Sequence, residues 1–143
     1  MSALALALTL PRPLWPAAIA LGGIAWNIFG LVQFAGTLTA TEASMLAHGM
    51  TPAQATLMAS LPIWMTLAFA IGVLGGLAGS TLLLLRHPLA RPILAASLAA
   101  YIVLWIGDAA LGVFAAFGAP QVAILTLVVA IAAVLLAASH RTR

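Results

Sequence analysis

Four long apolar stretches occupy most of this sequence, at residues 14–36, 61–85, 92–117 and 120–138. Hydrophobic residues make up 65% of the chain and charged residues only 5%, whereas about 25% of the residues of a soluble domain are charged. A helix needs about 20 apolar residues to cross the hydrocarbon layer of a bilayer. Because these stretches are continuous and do not alternate, they favour helices over barrel strands. The sequence therefore predicts an all-α integral membrane protein with four transmembrane helices.

All the basic residues apart from histidine are arginines, and they lie outside the four stretches, at Arg12, Arg86, Arg91, Arg141 and Arg143. With four crossings, the three gaps that hold these residues share one face of the membrane. Cytoplasmic loops are enriched in Arg and Lys. The pattern therefore predicts cytoplasmic N and C termini, with residues 1–13 as a cytoplasmic lead and residues 14–143 as a single transmembrane domain.

Short connections predict how the helices are arranged. Residues 86–92 form a basic turn between the second and third stretches, and residues 118–120 form a turn between the third and fourth. Such short turns place consecutive helices side by side in opposite directions, which is typical of an up-down-up-down bundle.

The outer loop at residues 37–60 carries signals for short interfacial helices. Thr39 and Glu42 have capping-box spacing, and Gly49 is suited to end the helix that they would start. Thr51 and Gln54 repeat the spacing, with Pro52 at the first helical position. We expect this segment to lie in the interface or to cap the bundle.

Asp108 is the only acidic residue inside an apolar stretch. A charged Asp at the centre of a transmembrane helix costs about 2.5–3.5 kcal/mol, so such residues usually face the bundle interior or a wet cavity. Asp108 is therefore a candidate for proton coupling or solute binding. The alternative is a packing role, with the carboxylate bonded to a neighbouring helix or to headgroup water.

Two further polar sets are candidates to surround Asp108. Ser97, Tyr101, Trp105, Asp108 and Gly112 share one stripe of the third helix. On the first helix, Asn27 and Gln33 bracket the depth of Asp108, about 20 and 28 Å from residue 14 at about 1.5 Å per residue. These residues predict a cluster of Asn27, Gln33 and Asp108, although the two amides point to one place only if the helix bends. Ordinary interhelical hydrogen bonding is the competing interpretation for Asn27, Ser97 and Tyr101.

Glycines on the second helix form a face at Gly72, Gly75, Gly76 and Gly79. Small residues four apart let another helix approach closely. This face predicts helix packing, either on the first helix or on another subunit.

Several classes of function are disfavoured. The chain has no Cys, which excludes disulfide chemistry and thiolate metal sites. His48, His87 and His140 lie outside the stretches, so an intramembrane metal or haem site lacks its usual ligands. No nucleophile–base pair is visible, and the arginines lie at membrane edges instead of forming a nucleic-acid surface. We therefore expect no enzyme, no cofactor and no nucleic-acid partner.

The segment from Gly72 to Ser80, followed by Leu82–Leu85 and Arg86, resembles the second helix of a largely uncharacterised group of small, four-helix bacterial inner-membrane proteins. Three more segments share this resemblance, which covers residues 24–97: Trp26-Asn27 with Gly30, Thr51-Pro52, and Pro62-Ile63-Trp64. The resemblance implies a multi-pass protein of the bacterial inner membrane. Some members are loosely labelled sugar transporters, and the group assigns no binding residue.

Two functions remain open from the sequence. The first is a transporter or permease-like subunit for a small solute, with Asp108 as the coupling or binding residue and a homo-oligomer enclosing the path. The second is a scaffold or accessory subunit that packs on a membrane-protein partner through the glycine face of the second helix.

Overall fold

The structure is a computed structural model that describes residues 13–141. Residues 1–12 of the predicted lead lie outside the described residues, and so does Arg143. The described residues form helices and turns, and no strand occurs among them. The helices are, in order, α1 (Trp15–Thr39), α2 (Glu42–Ala47), α3 (Pro52–Ala59), α4 (Ile63–Leu84), α5 (Ala90–Ala110), α6 (Val113–Phe117) and α7 (Ala119–Arg141).

Four of these helices, α1, α4, α5 and α7, are long and apolar enough to cross a membrane. The prediction of four membrane-spanning helices in an all-α chain is therefore confirmed at this level. The boundaries of α1, α4 and α7 lie within a few residues of those predicted. The helix α5 starts at Ala90 rather than at residue 92, because Pro92 falls in its first turn, where the missing N–H would have had no acceptor within the helix.

The third predicted crossing, residues 92–117, is wrong at its C-terminal end. The helix α5 stops at Ala110, and Gly112 then adopts a left-handed conformation with φ 86°. A side chain would be strained in that conformation, which glycine adopts freely. The chain continues as the short helix α6, and Gly118 makes a second left-handed turn before α7. Two helices joined at Gly112 thus replace one continuous helix.

The loop at residues 37–60 forms two short helices, as predicted, but the first capping box lies elsewhere. The hydroxyl of Thr39 bonds back to the Ala35 carbonyl inside the last turn of α1, at 3.1 Å. Thr41 caps α2 instead, with Ser44 completing the box. The prediction for Thr39 and Glu42 was therefore wrong, because α1 extends further than the apolar stretch does.

The second capping box is confirmed. The hydroxyl of Thr51 accepts from the backbone N–H of Gln54 at 3.2 Å, and the Gln54 side chain accepts from the N–H of Thr51 at 3.0 Å. Pro52 is the first residue of α3. Gly49 follows α2 with φ 95°, which ends that helix as expected. Met45 and Ala55 are buried, so this segment packs on the rest of the molecule.

The helices α4 and α5 pack most closely, with α1 on α4 and α7 on α5. One cluster of buried side chains joins Ala20 of α1, Leu83 of α4, Leu94 of α5 and Leu135 of α7. The beginnings of α1 and α5 therefore meet the ends of α4 and α7.

We call this part of the molecule the arginine end, because Arg86, Arg91 and Arg141 lie there. The opposite part, which we call the Asp108 end, holds a second cluster with Met65 and Leu125.

Candidate functional site

The four long helices, α1, α4, α5 and α7, bury a small set of polar side chains. All are at most 5% exposed, and they are distributed along the length of the bundle: Asn27, Ser80, Ser97, Tyr101, Asp108 and Ser139. A buried polar group is costly unless it is hydrogen-bonded, so the partners of each group indicate how the interior is built.

The glycine face of α4 is filled by side chains of this same chain. A methyl group added at Gly72 would lie 2.6 Å from the ring of Tyr101, and one added at Gly79 would lie 2.6 Å from Leu94. A methyl group at Gly76 would overlap the side-chain amide of Asn27. A methyl group added at Gly75 would lie 3.2 Å from the side chain of Ser97. These glycines therefore form a notch between α1 and α5 rather than a surface for another subunit.

The notch brings Asn27 of α1 to Tyr101 of α5. The Tyr101 hydroxyl donates to Oδ1 of Asn27 at 3.3 Å, and Nδ2 of Asn27 donates to the carbonyl of Gly23 at 2.8 Å. Next to them, the Ser97 hydroxyl donates to the carbonyl of Gly72 at 2.6 Å. These bonds tie three helices together at the middle of the bundle.

Asp108 lies apart from this group, at the other end of α5. Its Oδ2 accepts a hydrogen bond from Nε2 of Gln121 at 3.1 Å, and Gln121 is in the first turn of α7. Among residues 13–141, no Arg or His approaches the carboxylate, and Gln121 is its only side-chain hydrogen-bond partner. Asp108 is therefore a buried acid that is held by a neutral amide.

The backbone around Asp108 is irregular and tightly packed. The helix α5 ends at Ala110, two residues after Asp108, and the left-handed turn at Gly112 leads into α6. Gly107, on the preceding position, has Met65 so close that an added methyl group would overlap it. Non-helical backbone at membrane depth is tolerated only where protein or a water-filled cavity covers it.

Side chains of α5 and α3 contact the short helix α6. The ring of Trp105 in α5 meets that of Phe114 edge-on at 5.1 Å, and its indole N–H donates to the hydroxyl of Thr126 at 3.1 Å. Nε2 of Gln54 in α3 donates to the carbonyl of Ala116 at 3.0 Å. The helix α6 is therefore held by Trp105 and by Gln54.

The interior beside Asn27 and Tyr101 is closed. Trp26, Gly76 and Leu135 help to line a gap there that is too small to admit a water molecule. This gap beside Asn27 and Tyr101 therefore has no room for a solute.

The predicted cluster of Asn27, Gln33 and Asp108 does not form. Asn27 is 2% exposed, whereas Gln33 lies on the exposed side of α1. The helix α1 is continuous through both residues, so the bend that would bring the two amides together is absent. Tyr101, which the polar stripe singled out, is the residue that meets Asn27.

Gln121 and Ser80 are among the interior residues that were not anticipated from the sequence. Gln121 is the hydrogen-bond partner of Asp108. The feature of the sequence that could have indicated it is its position as a lone polar residue, directly after Pro120, at the start of an apolar stretch. Ser80 is fully buried, and its hydroxyl has no hydrogen-bond partner within the described residues. It lies against Gly23, whose carbonyl already accepts from Asn27.

Comparison with known proteins gives no family for this chain. No protein-family model matches it, and no curated protein and no solved structure does so.

Proposed function

We propose that this chain is a multi-pass protein of the bacterial inner membrane that moves a small solute, and that Asp108 is its coupling or solute-binding residue. The observation that carries the proposal is the environment of Asp108. An acidic side chain within an apolar helix raises the free energy of the membrane-inserted state. Here a single amide rather than a cation is bonded to it. A role in packing alone would be served by a neutral residue at lower cost.

The chemistry of this arrangement suits exchange. A carboxylate paired with Arg would be locked by strong, charge-assisted hydrogen bonds. The amide of Gln121 forms a weaker bond, which can be replaced by a hydroxyl or amine of a solute, or released when the carboxyl takes up a proton. Chains of acidic and polar residues within membrane helices commonly mark such proton or solute paths.

Opening requires a part of the fold that can move, and α6 is suited to this role. It is flanked by left-handed glycines at Gly112 and Gly118 and lies beside Asp108. Interrupted helices line the binding sites of many transporters. We propose that displacement of α6, with release of the Gln54 contact, opens the Asp108 end.

Four helices enclose little space, and we propose that the working form is a homo-oligomer. The helix α1 is the least covered of the four. Of its most apolar 18-residue segment, 17% is buried, against 39% for the corresponding segments of α4 and α5. Its exposed side is therefore the surface that we assign to a second copy. The alternative of a scaffold that binds a partner through the glycines of α4 is disfavoured, because those glycines are occupied within the chain.

We further propose an up-down-up-down bundle with both termini in the cytoplasm. Its support is that Arg86, Arg91 and Arg141 lie at one end of the bundle, while Glu42 and Asp108 lie towards the other. Cytoplasmic segments are the ones enriched in arginine.

The absence of Cys from the chain makes this topology easy to test. We expect Ala47→Cys to react with a membrane-impermeant maleimide added to cells whose outer membrane is permeabilised and whose inner membrane is intact. The reason is that the proposed topology puts α2 on the periplasmic side. His140→Cys should react only after the inner membrane is permeabilised. Labelling of both variants in lysed cells is the control, and the reverse pattern in intact cells would show the opposite orientation.

Transport itself can be tested with purified protein in vesicles that contain a pH-sensitive dye. A hexose, a pentose, a polyol and a neutral amino acid are added outside, one at a time, with and without an imposed pH gradient. We expect at least one class to change the internal pH faster than in protein-free vesicles. If none of the four classes changes the internal pH and none is taken up as radiolabelled solute, with the protein shown to be folded and inserted, the transport proposal is contradicted.

A further inference from the structure

A second polar feature lies at the arginine end, far from Asp108. A cleft of about 120 Å³ opens where the turn between α4 and α5 meets the end of α7. Arg86, His87, Arg91 and Ser139 line it, above a floor that includes Leu83 and Ala90. Pockets for whole small molecules measure about 300–1,000 Å³, so this cleft is suited to a single compact group.

The charges of the cleft are not compensated by acidic side chains. The chain has two acidic side chains in all, and neither Glu42 in α2 nor Asp108 lies at the arginine end. Among residues 13–141, Arg86 and Arg91 therefore lie beside the apolar floor of the cleft with no acidic side chain to pair with. A cationic cleft of this kind calls for an anion from outside the chain.

The turn also supplies hydrogen-bond donors. Nδ1 of His87 accepts from the backbone N–H of Leu89 at 3.1 Å, so the proton of the neutral ring is on Nε2, where it can be donated. The helix α5 begins at Ala90 without a side-chain cap, and the N-terminus of a helix attracts anions. The guanidinium groups add planar sets of donors that match phosphate oxygens.

We propose that this cleft binds the phosphate group of an anionic phospholipid. The lipid is favoured over a free anion because the floor is apolar and can contact the glycerol part of a lipid. The arginine end also lies where headgroup phosphates are concentrated in a bilayer. This site is independent of Asp108 and of the transport proposal.

The test compares arginines of equal charge inside and outside the cleft. Phosphatidylglycerol is titrated into purified protein in a non-ionic detergent, and retained lipid is measured by native mass spectrometry. In a second arm, inorganic phosphate is titrated instead. Arg86→Gln and Arg91→Gln are compared with Arg141→Gln, which removes a charge at the same end but outside the cleft. Equal thermal unfolding of the three variants shows that each is folded.

We expect each cleft substitution to weaken phosphatidylglycerol binding about fivefold, which corresponds to about 1 kcal/mol per arginine at a membrane surface. Arg141→Gln should change it less than twofold. If inorganic phosphate binds with the same dependence on Arg86 and Arg91, the cleft is a phosphate site and the lipid is not its specific ligand. Equal losses in all three variants would reflect diffuse surface charge and would overturn the proposal, as would the absence of binding in both arms.

Discussion

Replacing Gly76 by leucine is expected to prevent α1 from packing on α4. Any side chain at Gly76 would overlap the amide of Asn27, and displacing that amide would break its hydrogen bond from the Tyr101 hydroxyl. Overpacking a close-packed interior costs about 1–3 kcal/mol, and each lost interhelical hydrogen bond adds about 0.6 kcal/mol. We expect the free energy of unfolding in detergent micelles to fall by about 3 kcal/mol or more, as measured by thermal or denaturant-induced unfolding.

Ala78→Leu is the matched control on the same helix, two residues from Gly76. Ala78 is exposed, and it lies outside the side of α1 that we assign to a second copy. We expect this variant to be as stable as the wild-type protein. Gly76→Leu with the stability of Ala78→Leu would contradict the notch between α1 and α5.

The four long helices could be predicted because their signal is local. Each is a run of apolar residues long enough to cross a bilayer, and a Pro lies at or near the start of each. The end of α5 could not be predicted in this way. Gly112 is compatible with an apolar helix by composition, and its left-handed conformation depends on α6 packing back against Trp105.

The residues of the site could be predicted better than their partners. The isolation of Asp108 and the spacing of the glycines are visible in the sequence. The partner of Asp108 is set by how α7 follows the turn at Gly118, which places Gln121 beside the carboxylate. Depth along a helix indicated Asn27 and Gln33 as neighbours of Asp108. Gln33 lies on the exposed side of α1 because the helix does not bend, and Asn27 bonds to Tyr101 instead.

Asp108→Asn is expected to reduce solute-coupled flux about a hundredfold or more, since a positioned proton-transfer group typically contributes a factor of about 10²–10⁴. Asparagine has nearly the same size as aspartate and keeps an oxygen that can accept from Gln121. It cannot take up a proton or carry a charge at that oxygen. The substitution therefore removes the chemistry of the site while preserving its packing, and flux is followed as the pH change inside vesicles.

Thr126→Val is the matched control for this substitution. It removes the hydrogen bond from Trp105 between the same two helices, α5 and α7, but leaves the acid in place. We expect it to retain at least half of the wild-type flux. An equally large loss in Thr126→Val would mean that contact between α5 and α7, and not the acid, controls the activity.

The most direct test of the account compares the solute-driven pH change in Asp108→Asn vesicles with that in wild-type vesicles. The two preparations need equal protein content, equal orientation and the same thermal unfolding midpoint. With the solute that the wild-type protein carries, the account predicts that the pH change in Asp108→Asn vesicles is close to that in protein-free vesicles. Flux in Asp108→Asn within twofold of the wild type would show that the buried acid serves packing and not transport.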